Sequence, residues 1–167
     1  MAEIGKQFER LVEIMATLRG EKGCPWDKEQ THRSLRQYLL EEAYEVIEAI
    51  DEGRYDDLAE ELGDLLLQAV FHAQIAAEEG RFTIADVLQG INDKLVRRHP
   101  HVFGDAVIET AREQTRHWEK VKRDEGKQSA VEGVPRELSA LLRAHRVQAK
   151  ASTVGFDWKR ADEVWEK

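Results

Sequence analysis

The chain has 167 residues, 41% of them hydrophobic and 35% charged, with a net charge of −8; this suits one soluble domain, or one plus the start of another, and excludes extensive disorder. The acidic balance excludes a basic nucleic-acid-binding surface, while an anionic ligand stays open because a divalent cation can bridge carboxylates to phosphates. A single cysteine, Cys24, excludes a disulfide framework or cysteine-rich zinc site, and no apolar run approaches the roughly 18 residues of a membrane span, so the expected location is the cytoplasm.

Helical periodicity dominates, with no clear alternating strand pattern. The first predicted helix covers residues 3–19, with Phe8, Leu11, Val12, Met15 and Leu18 on one stripe. Its amphipathic mix of charges is unlike a signal sequence. Arg19-Gly20 ends it, and residues 21–27 (EKGCPWD) read as a loop. A second helix is predicted from near Thr31 to about Asp51, ended by Gly53. A third starts near Asp56 and Asp57 and runs to Glu79, with Gly80 as its cap.

Thr83 precedes a fourth predicted helix that reaches Arg98 and is stopped by His99-Pro100, after which residues 99–109 read as a loop. A fifth covers roughly 110–126, a linker runs to Pro135, and a sixth extends from Arg136 to about Ser152. Residues 153–158 break it, and 159–167 look like the opening of another helix, so the natural chain is expected to continue. Trp26-Asp27 and Asp157-Trp158, each ahead of a helix, hint at a repeated module. The expected organisation is a main domain over 1–130, with 131–167 as linker, helix and start of a second module. The expected fold is all-α, an antiparallel helical bundle with four main helices around the site.

The informative stretch is Glu41-Glu42-Ala43-Tyr44-Glu45, followed after fifteen residues by Glu61-Leu62-Gly63-Asp64. Glu42 and Glu45 are i, i+3 and share a helix face, as do Glu61 and Asp64. Glu45 and Glu61 each lie eight residues from Gly53, and Glu42 and Asp64 each lie eleven away. In an antiparallel hairpin those pairs sit level, about 12 Å and 16 Å from the turn. Packed helices lie roughly 8–10 Å apart, so the four carboxylates can converge. They would repel one another strongly without a cation between them, and all-oxygen ligation suits Mg²⁺ or Mn²⁺. The neighbours Leu39, Leu40, Val46, Ile47, Ile50, Leu58, Leu62, Leu65 and Leu66 make this unlike a plain solvated face. Gly63 reads as a position of close approach, since a mid-helix glycine costs up to about 1 kcal/mol.

The runs GCPWDKEQT (23–31), EEAYE (41–45), ELGD (61–64) and KLVRRHPHVFGD (94–105) together closely resemble the MazG family of all-α nucleoside triphosphate pyrophosphohydrolases, over roughly residues 8–160. The resemblance implies hydrolysis of a nucleoside triphosphate to monophosphate and pyrophosphate by attack at the α-phosphorus. It implies Mg²⁺ held by Glu42, Glu45, Glu61 and Asp64, and the acidic pattern shows no departure from the family's. It also implies a homodimer or higher homo-oligomer, while the acidic balance and the lack of a long apolar run leave no nucleic acid or membrane as an expected partner.

A triphosphate needs positive charge beyond the metal, and Lys94, Arg97 and Arg98 supply it on the fourth predicted helix. Lys94 and Arg98 are i, i+4 and point the same way. From spacing alone they could equally complement the helix dipole, and the resemblance makes them the phosphate-contacting element. Trp118 and Lys122 repeat that spacing and resemble a nucleotide-contacting pair, although a helical tryptophan is as readily a core residue. Trp26 is a stacking candidate or a plug for the bundle end. Glu41 or Glu45 is the candidate acceptor of a proton from the attacking water. His72, His99 and His101 are given packing or hydrogen-bonding roles, and Cys24 a structural one.

Two other readings stand beside this one. A di-iron carboxylate bundle expects two Glu-x-x-His motifs, and the chain has one such spacing, Glu29 to His32, away from the acidic hairpin. A non-catalytic dimerisation or regulatory module of a longer two-module protein would retain the fold without turnover.

Overall fold

A computed structural model describes residues 2–110, 113–115, 117, 118, 121, 125, 129 and 131–156. The described residues are helical, turn or irregular, and no strand occurs among them. The fold is all-α. The chain divides into two compact units, 1–92 and 93–167.

The first unit begins with α1 (Ala2–Arg19), which buries Met15 completely. The short α2 (Pro25–Glu29) falls where the sequence reads as a loop. Pro25 occupies the first helical turn, where its fixed φ is already helical and its missing N–H has no partner to lose. α3 (Arg36–Glu52) starts five residues later than Thr31. Thr31 and Ser34 form a reciprocal cap one turn ahead of it. The Ser34 hydroxyl accepts from Thr31 N–H at 2.9 Å, the Thr31 hydroxyl accepts from Ser34 N–H at 3.1 Å, and Leu35 N–H donates to Thr31 O at 3.2 Å, so a single capped turn leads into the regular helix.

α3 and α4 (Tyr55–Glu78) form the most extensive helix pair of this unit, an antiparallel hairpin. Gly53 makes the turn with φ of 69°, a left-handed value that a side chain would strain. Gly53 N–H donates to Ile50 O at 3.2 Å and Arg54 N–H to Ala49 O at 3.0 Å, which satisfies the last carbonyls of α3 in a Schellman arrangement. Arg54 then pairs with Glu48, Glu52 and Asp57 across the turn. The same device ends α4, where Gly80 has φ of 67°. Thr83 and Asp86 cap α5 (Ile84–Arg98) reciprocally, with Thr83 N–H donating to Asp86 Oδ2 at 2.8 Å.

The core joins Met15, Leu35, Val70, Phe71 and Ile75, flanked by Phe8, Leu11, Val12, Leu18, Tyr38, Leu67 and Ile84. The predicted stripe of the first helix thus lies wholly within it. This core grips the hairpin at the end far from Gly53. Away from this core the hairpin leaves Leu40, Ile47, Ile50 and Leu62 about half exposed, between 49% and 58%.

In the second unit, α6 (Pro100–Phe103) again follows a proline in the first turn where a loop was expected. Within the predicted 110–126 helix, residues 113–115, 117, 118 and 121 are helical, Thr110 forms a bend and Glu125 a turn, and the other residues lie outside the described ones. α7 (Ala140–Ser152) starts four residues after the predicted Arg136, and residues 136–138 form a turn and bend. The predicted opening helix at 159–167 lies outside the described residues.

Candidate metal centre and anion-binding residues

α3 carries Glu41, Glu42 and Glu45, and α4 carries Glu61 and Asp64. One carboxylate oxygen from each of Glu42, Glu45 and Glu61 lies within 4.8 Å of the other two. Asp64 is not one of those three, but its charge reaches both Glu42 and Glu61. Burial, then the charges of Asp64 and Glu45, a hydrogen bond with Glu45 and the charge of Glu61, push the Glu42 carboxyl above its ordinary range. Glu61 is raised by desolvation, then by Glu45, Glu60 and Asp64, against a small opposing pull from Arg54. Among the charges, Glu42 therefore feels Asp64 most and Glu61 feels Glu45 most, as level pairs across a hairpin should. An all-oxygen donor set in which Glu42 and Glu61 resist ionisation fits a hard divalent cation. Glu41 is exposed on α3, outside that cluster of oxygens.

Gly63 does not serve close approach within the described residues. A Cβ built there meets nothing within 4 Å. The close approach falls instead at Gly23, where a Cβ would lie 2.0 Å from Leu18 O.

Trp26 is half exposed and packs edge-to-face on Tyr38, with ring centroids 5.8 Å apart. His32, the member of the lone Glu-x-x-His spacing, turns to α4 and meets His72, Nδ1 to Nδ1 at 2.8 Å, with the rings stacked.

In the second unit, Lys94 and Arg97 are exposed and Arg98 is partly buried at the C-terminal end of α5. Both arginines grip one carboxylate, Glu125, at 2.5 Å each. Glu125 is correspondingly held down to about 2 by the hydrogen bonds of Arg98 and then Arg97. Sequence spacing gives no signal for Glu125, which lies 27 and 28 residues from its partners and meets them only through tertiary structure. The Trp118 indole N–H donates to Arg98 O at 3.1 Å, Gln114 Nε2 donates to the same oxygen at 3.1 Å, and His99 meets the Trp118 ring edge-on at 5.6 Å. Trp118 therefore caps α5, with its polar edge committed to the backbone. Lys122 lies outside the described residues.

Residues 30–103 match the MazG nucleotide pyrophosphohydrolase domain. The chain is 52% identical over its whole length to the nucleoside triphosphate pyrophosphohydrolase/pyrophosphatase MazG of Thermotoga maritima, covering 65% of that protein. It is 50% identical over 96% of its length to the nucleoside triphosphate pyrophosphohydrolase of Escherichia coli K12, covering 63% of it. It is also 49% identical over 85% of its length to the uncharacterized protein YabN of Bacillus subtilis, covering 30% of that chain. The chain thus spans just under two thirds of the first two relatives.

Proposed function

The chain belongs to the MazG family, and on that premise we propose that it hydrolyses nucleoside triphosphates to a monophosphate and pyrophosphate with Mg²⁺ (Mn²⁺ as substitute). The observation that carries this reading is the gathering of Glu42, Glu45 and Glu61 oxygens within 4.8 Å across the α3–α4 hairpin. Asp64 completes the proposed ligand set. When bound, the ion supplies charge neutralisation at the phosphate oxygens and a more acidic water. Glu41 or Glu45 accepts the proton of the water that attacks the α-phosphorus. The α–β phosphoanhydride bond then breaks, and pyrophosphate leaves with its electron pair.

Arg97 and Arg98 offer bidentate forks to phosphate oxygens, and Lys94 adds a point charge on the same helix. Trp26 and Lys122 are proposed nucleotide contacts, and Trp118 contributes by fixing the Arg98 backbone as well as by any contact of its ring. Residues 1–130 form the proposed catalytic module, followed by the start of a second. A homodimer or higher homo-oligomer is supported by the exposed apolar faces of α3 (Leu40, Ile47, Ile50) and α5 (Val87, Ile91, Leu95). Those faces are also what favours the alternative of a non-catalytic dimerisation module. No helix among the described residues is long and apolar enough to cross a membrane, and the cytoplasm remains the proposed location.

The reading is tested by incubating the purified chain with a panel of nucleoside triphosphates, Mg²⁺ and ¹⁸O-water. Monophosphate and pyrophosphate in equal amounts, with the label on the monophosphate, support it. Diphosphate plus inorganic phosphate, or label on pyrophosphate, contradicts it.

A further inference from the structure

Four N–H donors converge on the two oxygens of one carboxylate. Arg97 Nε and Nη2 reach Glu125 Oε1 at 3.1 and 2.5 Å, while Arg98 Nε reaches Oε1 at 3.4 Å and Arg98 Nη2 reaches Oε2 at 2.5 Å. The Nε–Nη2 edge is the side on which a guanidinium grips an anion with two parallel bonds. Both arginines spend that edge on Glu125. A phosphate group offers the same tetrad of donors more charge and three oxygens, so a phosphate and Glu125 are rivals for one set of N–H groups.

Arg98 is also engaged through its backbone. Its carbonyl is held by both Trp118 and Gln114, and the Glu125 N–H is tied to Val121 O at 2.9 Å.

We propose that Glu125 is an internal surrogate for a phosphate group: it occupies the donor edges of Arg97 and Arg98, and a polyphosphate must displace it to bind. This rests on the reading that Arg97 and Arg98 contact phosphate. Because Glu125 remains ionised far below neutrality, the competition is present throughout the working pH range. Its effect is to weaken every anion at this position, including the pyrophosphate product, which eases release at the expense of substrate affinity. The fraction of molecules with free forks sets the apparent affinity.

The test is equilibrium binding of inorganic tripolyphosphate and of pyrophosphate, each with Mg²⁺, to the full chain by calorimetry. The wild type is compared with Glu125→Gln, Glu125→Asp, Arg97→Ala, Arg98→Ala and the Arg98→Ala/Glu125→Gln double variant. Glu125→Gln is expected to tighten tripolyphosphate binding about tenfold, and Glu125→Asp by less, because the shorter arm loosens the grip without removing the charge. The tightening should shrink sharply in the Arg98→Ala background. Unchanged or weaker binding in Glu125→Gln, with its circular dichroism intact, overturns the proposal and makes Glu125 a positioning residue or a simple tether. If Glu125→Gln is misfolded, Glu125→Asp decides alone: tighter binding sustains the proposal and unchanged or weaker binding ends it. If Arg98→Ala and Arg97→Ala both leave tripolyphosphate binding as in the wild type, the phosphate reading of the arginines fails as well. That outcome differs from a failure confined to Glu125.

Discussion

Arg19 and Glu78 tie the end of α1 to the end of α4 through three hydrogen bonds of 2.7 to 3.1 Å. The same guanidinium donates to the carbonyls of Asp27 and Gln30, 2.5 and 3.2 Å away, and lies 5.5 Å above the Phe71 ring. Its side chain is only 7% exposed. One residue therefore satisfies the loop around α2, a carboxylate and an aromatic face of the core.

Arg19→Ala leaves two carbonyls and a carboxylate without that donor, and should cost about 2–3 kcal/mol of stability in a urea melt. Glu78 is held below its ordinary value chiefly by the Arg19 hydrogen bond. A depressed carboxyl contributes stability above its unfolded value of 4.5 that is lost as pH falls through the lower folded value. Acid unfolding of Arg19→Ala should accordingly show a shallower pH dependence below about pH 4.5 than the wild type. An identical acid slope would show that the pair carries no linkage.

The acidic hairpin predicts an inverted pattern. In metal-free buffer Glu42→Gln should raise the melting temperature slightly, because it removes a desolvated charge set among Asp64, Glu45 and Glu61. Added Mg²⁺ should stabilise the wild type by mass action and leave the variant nearly unmoved. Equal Mg²⁺-induced shifts in the two proteins would place the cation elsewhere.

His72 is held below its ordinary value of 6.5, first by burial and then by the neighbouring His32. The unfolded chain takes up this proton near 6.5 and the folded chain only at lower pH, so stability is full above about 6.5 and declines as pH drops through the interval beneath it. The slope there reaches at most about 1.4 kcal/mol per pH unit for one proton. His72→Gln should flatten it, as read from urea midpoints at about pH 7.5 and 5.5. A wild-type midpoint that does not fall on acidification would mean the pair exerts no pH control.

Two glycines should behave oppositely. Gly23→Ala forces a Cβ to within 2.0 Å of Leu18 O and 2.6 Å of Thr17 O, both backbone atoms, and should cost more than about 2 kcal/mol. Gly63→Ala meets nothing and should stabilise the isolated chain by about 0.5–1 kcal/mol through helix propensity. A Gly63→Ala protein that loses stability on dilution-sensitive assembly would instead mark this face as a subunit contact.

Much of the frame was legible because it is written locally. The stripe from Phe8 to Leu18 has helical period, Gly53 and Gly80 cap their helices with positive φ, and the distances of Glu42, Glu45, Glu61 and Asp64 from Gly53 fix their levels in any hairpin. The prolines misled, since Pro25 and Pro100 each open a short helix where breaker logic expects a loop. The start of α3 falls later than Thr31 because the Thr31–Ser34 reciprocal cap opens a separate turn that leads into the regular helix. Glu125 and the His32–His72 pair were illegible for a different reason. Their partners lie 27 to 40 residues away, and only packing brings them together.

A Mg²⁺ site for triphosphate cleavage on the α3–α4 carboxylates makes turnover depend on Glu42 and Glu61. The most direct measurement is Mg²⁺-dependent pyrophosphate release from nucleoside triphosphates by the wild type, Glu42→Ala and Glu61→Ala under identical conditions. Release by the wild type is expected, with a loss of at least about 100-fold in each variant and helical content unchanged. Release by either variant at the wild-type rate, or none by the wild type on any nucleotide, would contradict it.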